Sequence, residues 1–313
     1  MRILFAGNKI RGLSCLKALV AEHEIVGVIG HPKNASPNYF VDEATGMGFK
    51  VLQPANVNSK EFIDSIRTLK PDLIILAGFG YIVNETFLSI PKYFSINLHG
   101  GKLPKYRGSS PMNWALINGE KTFTLSIIQV DSGVDTGGVL VEKTFDIGDK
   151  DTIVELHKIA NDNFPILLEK AVNDIKNKVA VIHSQDDSKS SYYPLRFPSD
   201  GFVLFDQLTA EEINNKVRAL TTPYPGVFTF YNGKKVKILK CKMTDTPFFG
   251  EPGRIYRISD SKGILVCASD RSLWLEEVQD FYSGEFCQNI FHRYESLLTT
   301  KEVALKFYDE KQV

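Results

Sequence analysis

Leu73-Ile-Ile-Leu-Ala77 is apolar at every position. A strand with one wet face alternates in polarity, so an unbroken run of this length suits a central strand covered on both faces. On either side of it, apolar runs alternate with amphipathic segments. Arg2–Ala6, Ile25–Ile29 and Lys50–Leu52 read as strands, and Leu13–Ala21 and Lys60–Leu69 as helices. That alternation predicts an α/β fold built from βαβ units around a parallel, Rossmann-like sheet. Glu85–Ile90 then reads as a brief helix, Ser95–His99 as a strand, and Pro111–Ile117 as a helix opening behind Ser109 and Ser110. Leu125–Val130 and Val139–Phe145 read as two strands flanking a loop, and Thr152–Asn177 as a long helical stretch interrupted at Pro165.

The pattern places a first domain over 1–180. Asp186-Asp-Ser-Lys-Ser-Ser191 is polar and lacks periodicity, so 181–200 reads as a linker. Beyond it the composition changes. Ala210–Leu220 reads as a helix, and Val227–Tyr231, Val236–Lys242, Gly253–Ile258, Gly263–Ala268 and Ser272–Val278 as short strands of period two. Asn232-Gly233 is a strong hairpin signal. Five short strands predict a smaller OB-like β-barrel domain over 201–313.

At 313 residues the chain has room for two domains, each able to bury a core. Lysine plus arginine balances aspartate plus glutamate at 37 each, so no net field draws the chain to nucleic acid or an anionic surface. Five lysines, Lys234, Lys235, Lys237, Lys240 and Lys242, crowd the first hairpin of the second domain. Acidic residues match basic ones from Gly201 onward, so solvated strand faces are the preferred reading over a nucleic-acid patch. Cys15, Cys241, Cys267 and Cys287 have no metal-binding spacing and are too sparse for a disulfide scaffold, and no metal site is expected among the histidines. The apolar start at Arg2 is too short for a signal peptide, and no run approaches the ~20 residues of a membrane helix. The expectation is a soluble, cytoplasmic protein. Phe281, Tyr282, Phe286, Phe291 and Tyr294 form an aromatic cluster, read as core with a homodimer contact as the alternative.

Two places carry candidate chemistry. Residues two apart on a strand share a face, so Asn97 and His99 project together at the end of Ser95–His99. Val130-Asp-Ser-Gly-Val-Asp-Thr-Gly137 brings two carboxylates on a glycine-containing loop, and Asp135 could orient His99. A carboxamide and a protonated imidazole can both donate to an oxyanion, and a carboxylate raises the pKa of a neighbouring histidine. The bland alternative is a turn-capping asparagine beside a satisfied core histidine. The second place is Gly7-Asn-Lys-Ile-Arg-Gly12, which enters a helix. It is neither a dinucleotide fingerprint nor a P-loop. Asn8, Lys9 and Arg11 there make either an anion site or an ordinary strand-to-helix turn.

Asn97-Leu-His99, Leu103-Pro-Lys-Tyr-Arg-Gly108, Pro111-Met-Asn-Trp114 and Asp131-Ser-Gly-Val-Asp-Thr-Gly137 occur in that order. Together they resemble the signature of formyltransferases that use N10-formyltetrahydrofolate. Thr222-Pro-Tyr-Pro-Gly-Val-Phe228 and the strands after it resemble that family's C-terminal OB-type domain. The resemblance implies His99 as general acid/base, Asn97 as oxyanion donor and Asp135 as the group that raises the histidine's pKa. It implies a folate co-substrate against Tyr81, Ile82 and Val83, against Asp131, Ser132, Gly133, Val134 and Asp135, and near Ser109, where some relatives carry arginine.

The second domain disfavours a glycinamide ribonucleotide formyltransferase. Methionyl-tRNA formyltransferases usually insert a basic loop after the second strand, whereas Gly30–Tyr39 here holds one lysine. Pro111–Glu120 and the Pro-Tyr-Pro-Gly turn look closest to enzymes that formylate an amino sugar on a UDP or dTDP carrier, which would serve lipopolysaccharide or another surface glycan. The expected partner is a nucleotide-linked amino sugar, with Asn8, Lys9 and Arg11 as substrate contacts. The alternative is methionyl-tRNA.

Overall fold

The computed structural model describes residues 1–32 and 39–309. Residues 33–38 lie outside the described residues, and with them most of the short segment whose single lysine was weighed against tRNA binding. Two compact units divide the chain. One holds Met1–Pro111, Thr122–Asp146 and His157–Pro194, and the other Met112–Lys121, Ile147–Leu156 and Leu195–Val313. Met112–Lys121 and Ile147–Leu156, expected in the first domain, thus group with the second unit.

The elements begin with β1 (Arg2–Gly7), α1 (Lys9–Leu19), β2 (Glu24–Ile29), α2 (Tyr39–Gly46), β3 (Val51–Leu52), α3 (Lys60–Arg67) and β4 (Leu73–Ala77). They continue with α4 (Glu85–Leu88), β5 (Ser95–His99), β6 (Arg107–Gly108), α5 (Pro111–Ile117), β7 (Thr122–Gln129), β8 (Val139–Asp146), α6 (Ile153–Lys176) and β9 (Tyr192–Tyr193). The main sheet runs β3-β2-β1-β4-β5-β7-β8. Strands β1 to β5 pair in parallel, whereas β7 is antiparallel to β5 and β8 to β7. The sheet is therefore mixed. A loop rather than a helical crossover joins β7 to β8, and only a crossover returns the chain in the same direction.

Every residue of β4 is buried, as its apolar run requires, and Leu4, Ala6, Ile74 and Leu76 pack with Ile63 and Ile66 of α3 on one face. Each fully buried branched side chain there contributes ~1.5–3 kcal/mol, enough to hold a strand whose backbone offers nothing to water. Helix α1 starts a turn earlier than its apolar periodicity indicates, because the Asn8 side chain caps it by accepting from the Lys9 N–H at 2.9 Å. Helix α6 corrects a second expectation, since it runs unbroken through Pro165. A mid-helix proline costs about 3 kcal/mol, and burial of Phe164, Leu167 and Leu168 on the adjoining face outweighs that.

The stretch 181–200 is not a plain linker. His183 bridges to Val139, and Tyr192-Tyr193 pairs with Arg107-Gly108 to form a two-stranded ladder. These are backbone bonds, which leave no periodic pattern in the side chains.

In the second unit α7 (Ala210–Leu220) opens with a capping box in which Thr209 and Glu212 exchange hydrogen bonds. Strands β10 (Val227–Tyr231), β11 (Lys234–Met243), β12 (Ile255–Ser259), β13 (Gly263–Cys267) and β14 (Ser272–Asp280) then precede α8 (Thr300–Asp309). The sheet order is β10-β11-β14-β13-β12, antiparallel throughout. Asn232 and Gly233 both have positive φ, as their tight hairpin demands. The two edge strands share one neighbour. Residues 294–298 bond to Ile255 and Gly253 at one edge and to Phe230 at the other, closing the sheet as an OB-like barrel. Of the aromatic cluster only Phe291 is core, while Tyr282, Phe286 and Tyr294 stand exposed. Lys240 is matched by Glu276 at 3.2 Å, and the Lys235 ammonium lies 3.8 Å and 3.5 Å from the Phe228 and Phe281 ring centroids.

Candidate active site

Strand order changes direction between β1 and β4, since β2 and β3 follow to one side of β1 while β4 and β5 lie on the other. In parallel sheets ligands bind beyond the carboxyl ends of strands at such a point. The loops there are tied together by the Asn8 N–H, which donates to the Ala77 carbonyl at 3.2 Å. Asn97 and His99 lie at the same end of β5, the strand next to β4.

Both reach one carboxylate. Asn97 Nδ2 donates to Asp135 Oδ1 at 3.5 Å, and His99 Nδ1 lies 3.4 Å from Asp135 Oδ2. The far side of the ring is fixed as well, because Nε2 lies 2.8 Å from the Tyr106 carbonyl oxygen. A carbonyl only accepts, so Nε2 carries the proton and Nδ1 is the nitrogen turned toward Asp135 and Asn97. Gly101 permits this approach, since a Cβ there would stand 2.7 Å from both Nε2 and the Tyr106 oxygen.

The His99 side chain is only 4% exposed. Burial pushes its pKa below the ordinary histidine value, and Asp135 and the Tyr106 carbonyl oppose that only in part. Asp135 thus raises the histidine's pKa, as expected, but burial is the larger effect. The geometry stands, but desolvation wins, so the ring is neutral at neutral pH and presents a lone pair on Nδ1. The arrangement can therefore accept a proton at Nδ1, while Asp135 stabilises the imidazolium so formed. Asn97 commits one amide hydrogen to Asp135 and retains a second for an oxyanion.

The loop 131–137 carries its own brace, with Asp131 Oδ1 accepting from the Gly133 N–H at 3.1 Å and from the Thr136 hydroxyl at 2.5 Å. Val134 is exposed at its tip and Ser132 is exposed beside it. After β4, Tyr81 and Val83 pack partly buried on the core while Ile82 is 81% exposed. Tyr81 also meets His31 at 4.8 Å between ring centroids, and Asn8 Nδ2 lies 3.4 Å from His31 Nδ1. Ser109 follows Gly108, and its N–H donates to the Tyr193 carbonyl at 2.9 Å.

Around α1 the basic groups converge. Arg11 Nη2 lies 3.2 Å from His157 Nδ1, and the Arg11 guanidinium stacks over Phe164 at 5.2 Å. Burial, with Arg11 and Lys9 adding to it, pushes the His157 pKa down to about 4. Burial and Lys9 lower His31 in the same sense. Asn8, Lys9 and Arg11 thus stand together where α1 opens, at the carboxyl end of β1. Sequence reasoning missed Gln185 and gave Arg107 no role, although the structure places both behind Asp135. Among the described residues no group of three or more His, Cys, Asp or Glu side chains could hold a metal ion. No described helix is long and apolar enough to cross a membrane.

Comparison with known proteins identifies the family. Residues 11–172 match the formyl transferase family model, and residues 197–282 match the formyl transferase C-terminal domain. A methionyl-tRNA formyltransferase of Ruminiclostridium cellulolyticum is 35% identical over 297 residues, covering 89% of this chain and 92% of that protein. The bifunctional polymyxin resistance protein ArnA of Wigglesworthia glossinidia brevipalpis is 38% identical over 292 residues, covering 88% of this chain and 42% of that protein. In structure, an N-formyltransferase from Helicobacter canadensis, solved with folinic acid and dTDP-3-aminofucose, superposes with a TM-score of 0.69 at 21% identity, covering 88% of this chain and 98% of that one. The chain belongs to the formyltransferase family, with N10-formyltetrahydrofolate as the formyl donor.

Proposed function

We propose that this formyltransferase acts on the amine of a nucleotide-linked amino sugar. The observation that carries the reading is the placement of Lys9 and Arg11 in the first turn of α1, directly after β1, at the switch point of the sheet that also presents Asn97 and His99. A sugar diphosphonucleotide carries its negative charge a few ångströms from the amine to be formylated, and a local cationic site beside a reaction centre suits it. A tRNA needs phosphate contacts spread over a wide surface, and the chain as a whole has no net positive charge.

In the proposed reaction the neutral sugar amine attacks the formyl carbon of N10-formyltetrahydrofolate, the carbonyl oxygen becomes an oxyanion, and the second Asn97 amide hydrogen donates to it. His99 Nδ1 takes the proton leaving the attacking nitrogen, and Asp135 stabilises the imidazolium. The intermediate then collapses with cleavage of the bond to N10. His99 returns its proton to N10, releasing tetrahydrofolate and the N-formyl sugar. Tyr81, Ile82, Val83 and Ser109, with the loop Asp131, Ser132, Gly133, Val134 and Asp135, are proposed to hold the folate. Asn8, Lys9 and Arg11 are proposed to hold the diphosphate.

Methionyl-tRNA is the second reading, favoured by the 35% identity to a methionyl-tRNA formyltransferase along nearly its full length. The test is a mass-spectrometric assay with N10-formyltetrahydrofolate, a panel of UDP- and dTDP-amino sugars, and charged initiator tRNA. A formyl mass gain on one sugar nucleotide supports the proposal. Gain on the tRNA alone overturns it.

A further inference from the structure

Asp135 adopts a left-handed backbone, φ 54°, a conformation uncommon for any residue but glycine. What holds it lies fifty residues away along the chain. Gln185 Nε2 donates to the carbonyl of Asp135 at 2.8 Å and to that of Gly137 at 2.7 Å. The orientation of this amide is fixed from behind. Gln185 Oε1 accepts from Arg107 Nε at 3.1 Å and from Arg107 Nη2 at 2.8 Å, so a flipped amide would turn its N–H groups against a guanidinium. Arg107 itself is 1% exposed and is pinned further by Asp187 at 2.7 Å and the Tyr192 hydroxyl at 2.9 Å.

The neighbours of Arg107 complete the pattern. The Tyr106 carbonyl accepts from His99 Nε2, and the Gly108 N–H donates to Asp135 Oδ2 at 2.9 Å. Three consecutive residues therefore fix the histidine ring, the backbone of the carboxylate residue through Gln185, and the carboxylate itself. A glutamine needed only to satisfy loop carbonyls would not require a buried arginine to set which way its amide points.

We propose that Gln185, oriented by Arg107, is a positioning residue that sets the distance between Asp135 and His99. This rests on the reading of Asn97, His99 and Asp135 as the reacting centre. The step it serves is the transfer of the amine proton to Nδ1, whose cost depends on how closely Asp135 Oδ2 faces that nitrogen.

The test uses Gln185→Glu, which keeps an acceptor for Arg107 but loses both donors, and Gln185→Met, which keeps length without polarity. Asp135→Asn is measured alongside. Turnover per folded molecule and donor KM are read with the acceptor identified by the panel assay. Imidazole 1H–15N spectra are read on the free protein, which needs no acceptor. A misplacement of an ångström or less at a reaction centre costs about 10- to 100-fold, so both Gln185 variants are expected to lose that much in kcat, with donor KM within about threefold. Their His99 ring resonances should move toward those of Asp135→Asn. Turnover within about twofold of the parent, with unmoved His99 resonances, would overturn the positioning role. Full turnover in Asp135→Asn would instead overturn the reading of the centre itself. If Gln185→Glu fails to fold, Gln185→Met carries the same comparison.

Discussion

Replacing Asp135 by asparagine removes a charge and little else. The Gly108 N–H at 2.9 Å needs an acceptor, so the amide oxygen of the variant takes the place of Oδ2 and still faces His99. What is lost is the attraction between a carboxylate and the imidazolium that forms 3.4 Å away. At that distance and an effective dielectric constant of about 20, Coulomb's law gives about 5 kcal/mol, a ceiling of between three and four powers of ten in rate. The dipole of the replacement amide and residual solvent recover part of this, leaving an expected fall in kcat of about 10²- to 10³-fold. Donor affinity, measured by quenching of protein fluorescence, should stay within about threefold because the loop keeps its shape. The pH profile gives the sign independently. The proton acceptor must be neutral, so turnover rises through the depressed His99 pKa on the acid side and is lost as pH falls through it. Without the carboxylate that limb should move to still lower pH. A variant turning over within about tenfold of the parent, with an unmoved acid limb, would refute the assignment of Asp135 as the counter-charge.

Other perturbations test separate parts. His157, with its pKa pushed from 6.5 to about 4, takes up a proton more readily in the unfolded chain, so its contribution to stability is complete above about pH 6.5 and is lost as pH falls toward 4. Between pH 7 and pH 5 this amounts to up to about 2 kcal/mol, and urea unfolding of His157→Gln should show a pH dependence weaker by that amount. Arg11→Met should raise the His157 pKa in an NMR titration and raise acceptor KM by about tenfold with donor KM unchanged, whereas an unchanged acceptor KM would remove Arg11 from the diphosphate site. Gly108→Ala would place a Cβ 2.3 Å from the Tyr193 carbonyl oxygen at a φ of 97°, so it should break the β6–β9 ladder and the donor to Asp135. Loss of activity with a stability cost of about 1–3 kcal/mol is expected, read by thermal melting and turnover together.

The main sheet was legible because its evidence is local. Leu73–Ala77 announces a doubly covered strand by composition alone, β1 and β2 show as shorter apolar runs, and β5 shows by the alternation of Ser95-Ile-Asn-Leu-His99. The direction of β7 was harder, because the segment joining it to β5 contains helix α5, as a parallel crossover would, and yet the two strands pair antiparallel. Helix α6 shows propensity losing to burial, since Pro165 marks a break by every local rule and three buried neighbours override it. The closing segment 294–298 of the barrel is recognised only by backbone bonds to strands far away in sequence, which no periodicity records.

The candidate site divides along the same line. Asn97 and His99 were legible from strand spacing, and Asp135 from a glycine-flanked carboxylate in a loop. Their electrostatics were not, because pairing a histidine with a carboxylate fixes only one of two opposing effects. The other is burial, a property of the whole packing around His99 rather than of any motif, and here it is the larger. Gln185 left still less trace, sitting beside Asp186 and Asp187 in a stretch whose polarity reads as a solvated crossing. Yet its side chain is bonded at both ends, to a buried guanidinium on one side and to the Asp135 loop on the other. A polar residue in a segment without periodicity can thus be as tightly placed as a core leucine. What distinguishes it is the matching of donors and acceptors across fifty residues of chain, and that matching exists only once the fold has brought them together.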